Sequence, residues 1–387
     1  MKKAIIITEN SYPEGDAGAV RQHAFAKMLS DMDYEVLVIG YGKSTEEKIC
    51  VYDNINYISY RVNSLNKIYR VWNRIRFGDK VFDYISQNYK QLDLLLVVDL
   101  MPSAFKKIVQ LKKKYNCTLI HDSVEWYSKE EFRYGKLDLA YRRKEFTNTK
   151  VIDEMWNVVA ISTFLEKHFQ KFANRVVRIP VIMDIKNIEY RTKVEPSDKI
   201  VFSYAGGPGK KDFLREIISG FALLNQTELH KVELNIIGVN KDQLINMCEV
   251  DKKAIAKLGD CLKIHGRVER SVAINYIRQS DYSLLIRDEN LRYAKAGFPT
   301  KIVESLACGT PPLCNYSSDL ELYLKDRQNS IIANGHTSKD VCEAVKNALC
   351  IVKEKDRAFM RKNARELALN CFDYSVYKDL LFTVCDE

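Results

Sequence analysis

Short apolar runs, set between polar turns and mostly followed by a helix-period pattern, recur along the chain. Residues 3–8 (KAIIIT), 34–39 (YEVLVI), 92–98 (LDLLLVV), 117–120 (CTLI), 158–162 (VVAIS) and 175–180 (RVVRIP) form a first series. Residues 200–205 (IVFSYA), 232–237 (VELNII), 262–265 (LKIH) and 282–286 (YSLLI) form a second. Unbroken runs of this length suit strands covered on both faces, as in a parallel sheet between two layers of helices. Strand, helix and strand in repetition therefore predict an α/β fold of doubly wound, Rossmann-like sheets. A chain of 387 residues can bury more than one core. The pattern lapses over 186–197, where Pro196 interrupts it, so a linker is expected there. The expected domains are 1–190 and 198–370, with 371–387 a helix that packs back on the first.

Ligands of such sheets sit beyond the carboxyl ends of strands. That rule puts Gly15, Gly18 and Arg21 on one rim with His121 and Asp122. In the second series the loop AGGPGKKD follows a strand: Gly206 and Gly207 let the backbone approach a ligand, and Lys210 and Lys211 bring ammonium groups to it. The loop is neither a Walker loop nor a dinucleotide fingerprint, since it lacks the Ser or Thr after Lys and the G-x-G-x-x-G spacing. A plain turn is the alternative. Residues 294–314, AKAGFPTKIVESLACGTPPLC, say more. Gly297 and Pro299 shape a turn, Thr300 and Lys301 follow it, and Glu304 falls about one turn into a helix. The unpaired N–H groups and macrodipole of such a helix end suit a phosphate, and a carboxylate one turn later suits sugar hydroxyls. An ordinary strand-turn-helix with a surface Glu is the competing reading.

Composition narrows the remaining chemistry. No apolar run reaches the roughly 18 residues that a bilayer span requires. The first residues read as a strand and not as a signal peptide, so a cytoplasmic location is expected. The ten cysteines include no C-x-x-C pair and the six histidines no H-x-x-x-H cluster, so reduced thiols and no metal site are expected. The net charge of +9 lies mostly in the first half, and residues 61–80 hold six basic residues against one acid, interleaved with Tyr69, Trp72 and Phe77. Ile68, Val71, Trp72 and Ile75 recur there at helical spacing. Arg70, Trp72, Arg74 and Arg76 would then form a face for an anionic membrane surface. A solvated helix packed by its apolar stripe is the alternative, and nucleic acid is not expected because no binding motif accompanies the charge.

In their order, AGGPGKKD, IHGRV at 264–268 and the stretch at 294–314 resemble the C-terminal half of family 4 glycosyltransferases, retaining enzymes that use nucleotide sugars. The resemblance implies the GT-B fold, two Rossmann-like domains facing a cleft. It implies that Gly206, Gly207, Lys210, Lys211 and the turn Gly297, Phe298, Pro299, Thr300, Lys301 meet the donor diphosphate. The backbone of Gly266, Arg267 and Val268 would meet the base, and Glu304 the ribose. On the acceptor side, Gly15, Gly18 and Arg21 are similar to the family's first glycine loop. His121 and Asp122 are similar to its histidine motif, in which the His faces the transferred sugar. His121 and Lys211 are thus the expected catalytic residues. Two departures stand out: Ala296 replaces the first acid of the family's E-x7-E pattern, and Gly207 stands where an Arg is usual, leaving Lys210, Lys211 and Arg287 to neutralise phosphate.

Departure of a nucleoside diphosphate builds negative charge on the phosphates, which fixed cations and helix N–H groups stabilise. The expected donor is a UDP-sugar, with a GDP-sugar as the other option, and no cofactor or metal. The expected acceptor is lipid-linked or a cell-surface polysaccharide, with the protein peripheral on the inner face of the membrane. Ala296 motivates an alternative, a degenerate GT-B scaffold that binds nucleotide or glycan without turnover; a sugar-nucleotide epimerase of the same fold is a third. Nothing in the sequence sets an oligomeric state.

Overall fold

The computed structural model describes all residues except 14, 16, 43–47, 62–66, 191–196, 208–210, 352–353 and 386–387. The chain divides into two compact units: Met1–Asp184 with Tyr374–Glu387, and Ile185–Asp373.

Unit 1 is built on β1 (Lys2–Ser11), β2 (Tyr34–Gly42), β3 (Cys50–Tyr52), β4 (Ile55–Arg61), β5 (Leu94–Val98), β6 (Thr118–Ser123), β7 (Asn157–Ala160) and β8 (Val176–Arg178). They form one sheet in the order β3-β4-β2-β1-β5-β6-β7-β8, parallel except for β3, which runs against β4. Ala4 lies opposite Val36 on one side and Leu94 on the other, so β1 is central. Ile5, Ile6 and Ile7 are fully buried, which is why the run has no polar alternation. Helices α1 (Ala17–Ser30), α2 (Lys67–Asn88), α3 (Pro102–Tyr115), α4 (Leu139–Phe146) and α5 (Thr163–Phe169) belong to this unit. The chain returns to it at its end: in the helix Lys378–Cys385, Leu381 and Val384 are fully buried in the core that holds Ile120 and Val159. Asn157 donates to the Val384 carbonyl there, at 2.8 Å.

The packed stripe of α2 is Phe77, Val81 and Ile85, all at most 1% exposed. Val71, Trp72 and Ile75, the apolar spacing legible in the sequence, stay 57%, 55% and 42% exposed. Arg74 and Arg76 are exposed beside them, and the side chain of Arg70 lies outside what the structure describes. No helix among the described residues is long and apolar enough to cross a membrane.

Unit 2 has a second sheet, β9 (Ile200–Ala205), β10 (Val232–Ile237), β11 (Leu262–Gly266), β12 (Tyr282–Leu285), β13 (Pro312–Cys314) and β14 (Ile331–Ile332), all parallel in the order β11-β10-β9-β12-β13-β14. Phe202 on β9 stacks on Tyr282 of β12 and meets Phe221 of α6 (Leu214–Ala222) edge-on, their centroids 5.4 and 5.1 Å away. These rings seat α6 on the central strands.

The expected linker over 186–197 is corrected for 186–190, which belong to unit 2; residues 191–196 lie outside the described part. Tyr190 is buried and accepts a hydrogen bond from Arg270 at 2.7 Å. At the other end Asp373, also buried, accepts from the Ile185 amide at 3.2 Å. One aromatic anchor in a polar segment leaves no hydrophobic period, so the segment reads as a linker.

Candidate functional site

The carboxyl ends of β9, β10 and β11 carry Gly206, Gly238 and Gly266 side by side. The Gly206 amide donates to Ile237, and the Gly238 amide donates to the Gly266 carbonyl at 2.6 Å. Gly238 and Gly266 have φ of +94° and +61°, where a side chain is strained. Gly206 has a different reason to lack one: a Cβ there would come within 2.2 Å of Lys301 Nζ. The strand ends therefore expose backbone, with one ammonium group laid against it.

Asp212 organises that corner. Its carboxylate accepts from Arg287 Nε at 3.0 Å, from the Tyr204 hydroxyl at 3.1 Å, and from Lys301 Nζ. Lys301 Nζ also donates to the Tyr204 hydroxyl at 3.0 Å. Burial alone would raise the Asp212 pKa, yet Lys301 and Arg287 override it and hold the carboxyl well below the usual range. Burial and the adjacent Asp212 push the Tyr204 hydroxyl far up, so it stays protonated. Two cations, only 29% and 14% exposed, are thus fixed beside the glycine rim. Lys211 precedes the clamp; its carbonyl accepts from the Tyr293 hydroxyl at 2.8 Å and its ammonium group lies 5.7 Å from that ring's centroid.

Lys301 is in the first turn of the helix Thr300–Ala307, whose N-cap, Pro299, has no hydroxyl or carboxylate with which to cap the helix. Glu304, one turn on, forms an ion pair with Arg270, Nη2 to Oε1 at 2.9 Å. Arg270 in turn donates to Tyr190 and lies 3.6 Å from Glu189. Burial, opposed by Arg270, raises the Glu304 pKa. Gly297 ends the preceding short helix at an ordinary φ of −85°. Phe298 is buried against Tyr323 and Phe372, so its ring belongs to the core and leaves only its backbone for a ligand. Arg267 is exposed and Val268 half-buried just after β11. Lys210 lies outside the described residues.

Three expectations in unit 1 are corrected. His121 was expected to face a sugar, but its ring is fully buried among Phe105, Trp156 and Phe169, with centroids 6.1 to 6.4 Å away. Burial, with Lys144 nearby, pushes its pKa down to about 3, so it is a neutral core side chain. Arg21 and Asp122, 4% and 0% exposed, bind each other: Nε to Oδ2 at 2.9 Å and Nη2 to Oδ1 at 2.7 Å. Arg21 also donates to the carbonyls of Ile179, at 3.1 Å, and Pro180. Both are internal braces and not acceptor contacts. Gly18 lies in α1, and a Cβ on Gly15 would come within 2.5 Å of the Ser11 carbonyl oxygen, so Gly15 makes room for the chain's own backbone.

The sequence reading left out the polar cluster at the ends of β1 and β5. Glu9 accepts from Arg143 at 2.9 Å and from the Met101 amide, and Lys144 pairs with Asp99. It also gave Asp212 and Arg270 no role. Asp212 stood in the quoted loop, whereas nothing local marks Arg270. One described group could share a cation, Asp288, Glu289 and His336, whose ligand atoms lie within 4.8 Å of one another. Glu289 already accepts from His336 and Asn315 there, both at 2.9 Å.

The family described as "Glycosyl transferases group 1" matches residues 186–367, nearly all of unit 2. No curated protein matches the chain. Among solved structures, sucrose-phosphate synthase from Thermosynechococcus elongatus superposes with a TM-score of 0.74 at 13% identity, covering 99% of this chain and 98% of that one. WaaG, a glycosyltransferase involved in lipopolysaccharide biosynthesis, gives 0.69 at 12% identity over 98% and 99%. Anabaena HepE, in complex with UDP and glucose, gives 0.68 at 15% identity over 99% of both chains. The chain therefore has the two-domain GT-B fold, and residues 186–367 match the group 1 glycosyl transferases.

Proposed function

We propose that the protein is a retaining glycosyltransferase that moves a sugar from a UDP-sugar to a lipid-linked or polysaccharide acceptor. The observation that carries this reading is the pair Lys301 and Arg287, held by Asp212 against the glycine rim of unit 2. A nucleoside diphosphate leaving the anomeric carbon needs fixed positive charge beside its phosphates, and fixed cations need no reorganisation as that charge develops. Gly206, Gly207 and the amides opening the helix Thr300–Ala307 give the diphosphate a backbone surface. Lys211 is the further cation at the loop mouth. Glu304 accepts ribose hydroxyls, and Gly266, Arg267 and Val268 meet the base. Retention follows from front-face attack, with a leaving phosphate oxygen taking the acceptor proton, so no histidine base is needed. UDP is favoured because a GT-B neighbour, HepE, was crystallised with it. The exposed basic and apolar half of α2, with Trp72, Arg74 and Arg76, suits a protein that works at an anionic membrane surface.

Calorimetry with UDP and GDP tests the nucleotide reading, and a folded protein that binds neither overturns it. Glu304→Gln keeps the side-chain volume and removes the charge. The variant is expected to weaken UDP binding by about tenfold or more, the scale of a charge-assisted hydrogen bond. Unchanged affinity would take Glu304 out of the site. Ala296 is fully buried; UDP binding without turnover of any UDP-sugar would favour the scaffold reading instead.

A further inference from the structure

Residues 129–150 of unit 1 present a surface that the chemistry above does not use. Leu139 and Leu137 are 81% and 77% exposed, more than any other large hydrophobic among the described residues except Met1, and Tyr134 is 66% exposed. Single exposed leucines are ordinary. Here two flank Asp138, which caps α4 by accepting from the Ala140 amide at 2.8 Å, so the turn that displays them is held in place.

The charges around them are sorted by sign. The stretch contains seven basic and four acidic residues. The acids are engaged locally: Asp138 in the cap, Glu131 on the Ser128 amide at 2.7 Å, Glu145 on the Trp126 indole at 2.9 Å, and Glu130 near Lys129 at 3.8 Å. Arg143 and Lys144 turn inward onto Glu9 and Asp99. Arg133, Lys136, Arg142 and Lys150 are left exposed. The outward face is therefore apolar and cationic.

We propose that the turn spanning Arg133 to Arg142 is a lipid-docking surface, with Tyr134, Leu137 and Leu139 entering the headgroup boundary of an anionic bilayer and Arg133, Lys136 and Arg142 meeting its phosphates. The proposal rests on the membrane-surface reading of α2 and adds a second contact to it. An anionic bilayer fits because Arg133, Lys136 and Arg142 surround the apolar tip, while the one exposed acid of the stretch, Glu130, lies beside Lys129.

The test is vesicle co-sedimentation of the full chain, using phosphatidylcholine vesicles with and without phosphatidylglycerol. The wild type is expected to bind the anionic vesicles and to be released by salt. Leu137→Ser with Leu139→Ser should weaken binding about tenfold or more, the scale set by withdrawing two apolar side chains from the interface. Arg133→Gln, Lys136→Gln and Arg142→Gln together should remove the preference for phosphatidylglycerol. Thermal unfolding checks that these exposed changes leave the fold intact. If Trp72→Ser abolishes binding while the leucine pair changes it less than twofold, this turn is excluded and the α2 reading stands. If the wild type binds neither vesicle, both fall. If the leucine pair instead removes a dimer seen by size-exclusion chromatography, the surface joins two copies and the proposal is overturned.

Discussion

Asp212→Ala is expected to destabilise unit 2 by about 3 kcal/mol or more, the usual cost of deleting one partner of a buried charge cluster. Arg287 and Lys301 would be left facing each other with no counter-charge, and the Tyr204 hydroxyl would keep only the Gly207 carbonyl, at 3.4 Å, as acceptor. For a unit of this size the transition should fall by roughly 6 to 12 °C, measurable by calorimetry. Asp212→Asn keeps an acceptor and should cost less. The pH dependence gives an independent check. Because the folded pKa is depressed, the acid stabilises the fold above its unfolded value, about 3.9, and that stability drains as pH falls below it. The Asn variant should therefore be less stable than wild type at pH 7 but lose less on acidification. Equal urea midpoints at pH 7 would show that the clamp contributes nothing.

That clamp illustrates where sequence reading succeeds and where it stops. The central strands β1 and β5 were legible because both their faces are buried, leaving unbroken apolar runs, and β2, β9 and β10 because one or two polar residues interrupt otherwise apolar ones. β3, β13 and β14, of three, three and two residues, are too short to show a period. Gly206, Lys301 and Glu304 could be picked out because a loop glycine, a first-turn Lys and a Glu one turn later lie in local order. The partners that define them could not. Asp212 meets Arg287 across 75 positions and Lys301 across 89, and Arg21 meets Asp122 across 101, separations that only topology closes. His121 misled for another reason. Successive residues of a strand point to opposite faces, so His121 entered the aromatic core while Asp122 turned to Arg21. A motif near a strand end does not reveal which of two neighbours faces the rim.

Lys301→Ala is expected to lower kcat with a UDP-sugar by about 10²- to 10³-fold, as when a fixed donor to a developing oxyanion is removed. The loss should appear more in kcat than in KM, because the charge that Lys301 meets grows as the diphosphate leaves. Folding should suffer less than in Asp212→Ala, since Arg287 still pairs with the remaining carboxylate. Lys301→Arg should not restore turnover. The ammonium group sits where a Gly206 side chain would be, 2.2 Å from the position of its Cβ, a space for one nitrogen and not for a planar fork. By the same geometry Gly206→Ala should displace Lys301 and reproduce most of the loss without touching a charged residue. Steady-state kinetics on the three variants, with thermal unfolding to confirm folding, separate the possibilities. If Lys301→Ala keeps kcat within threefold of wild type, the cation stabilises only the fold, and the phosphates must be met by Arg287, Lys211 and the helix amides.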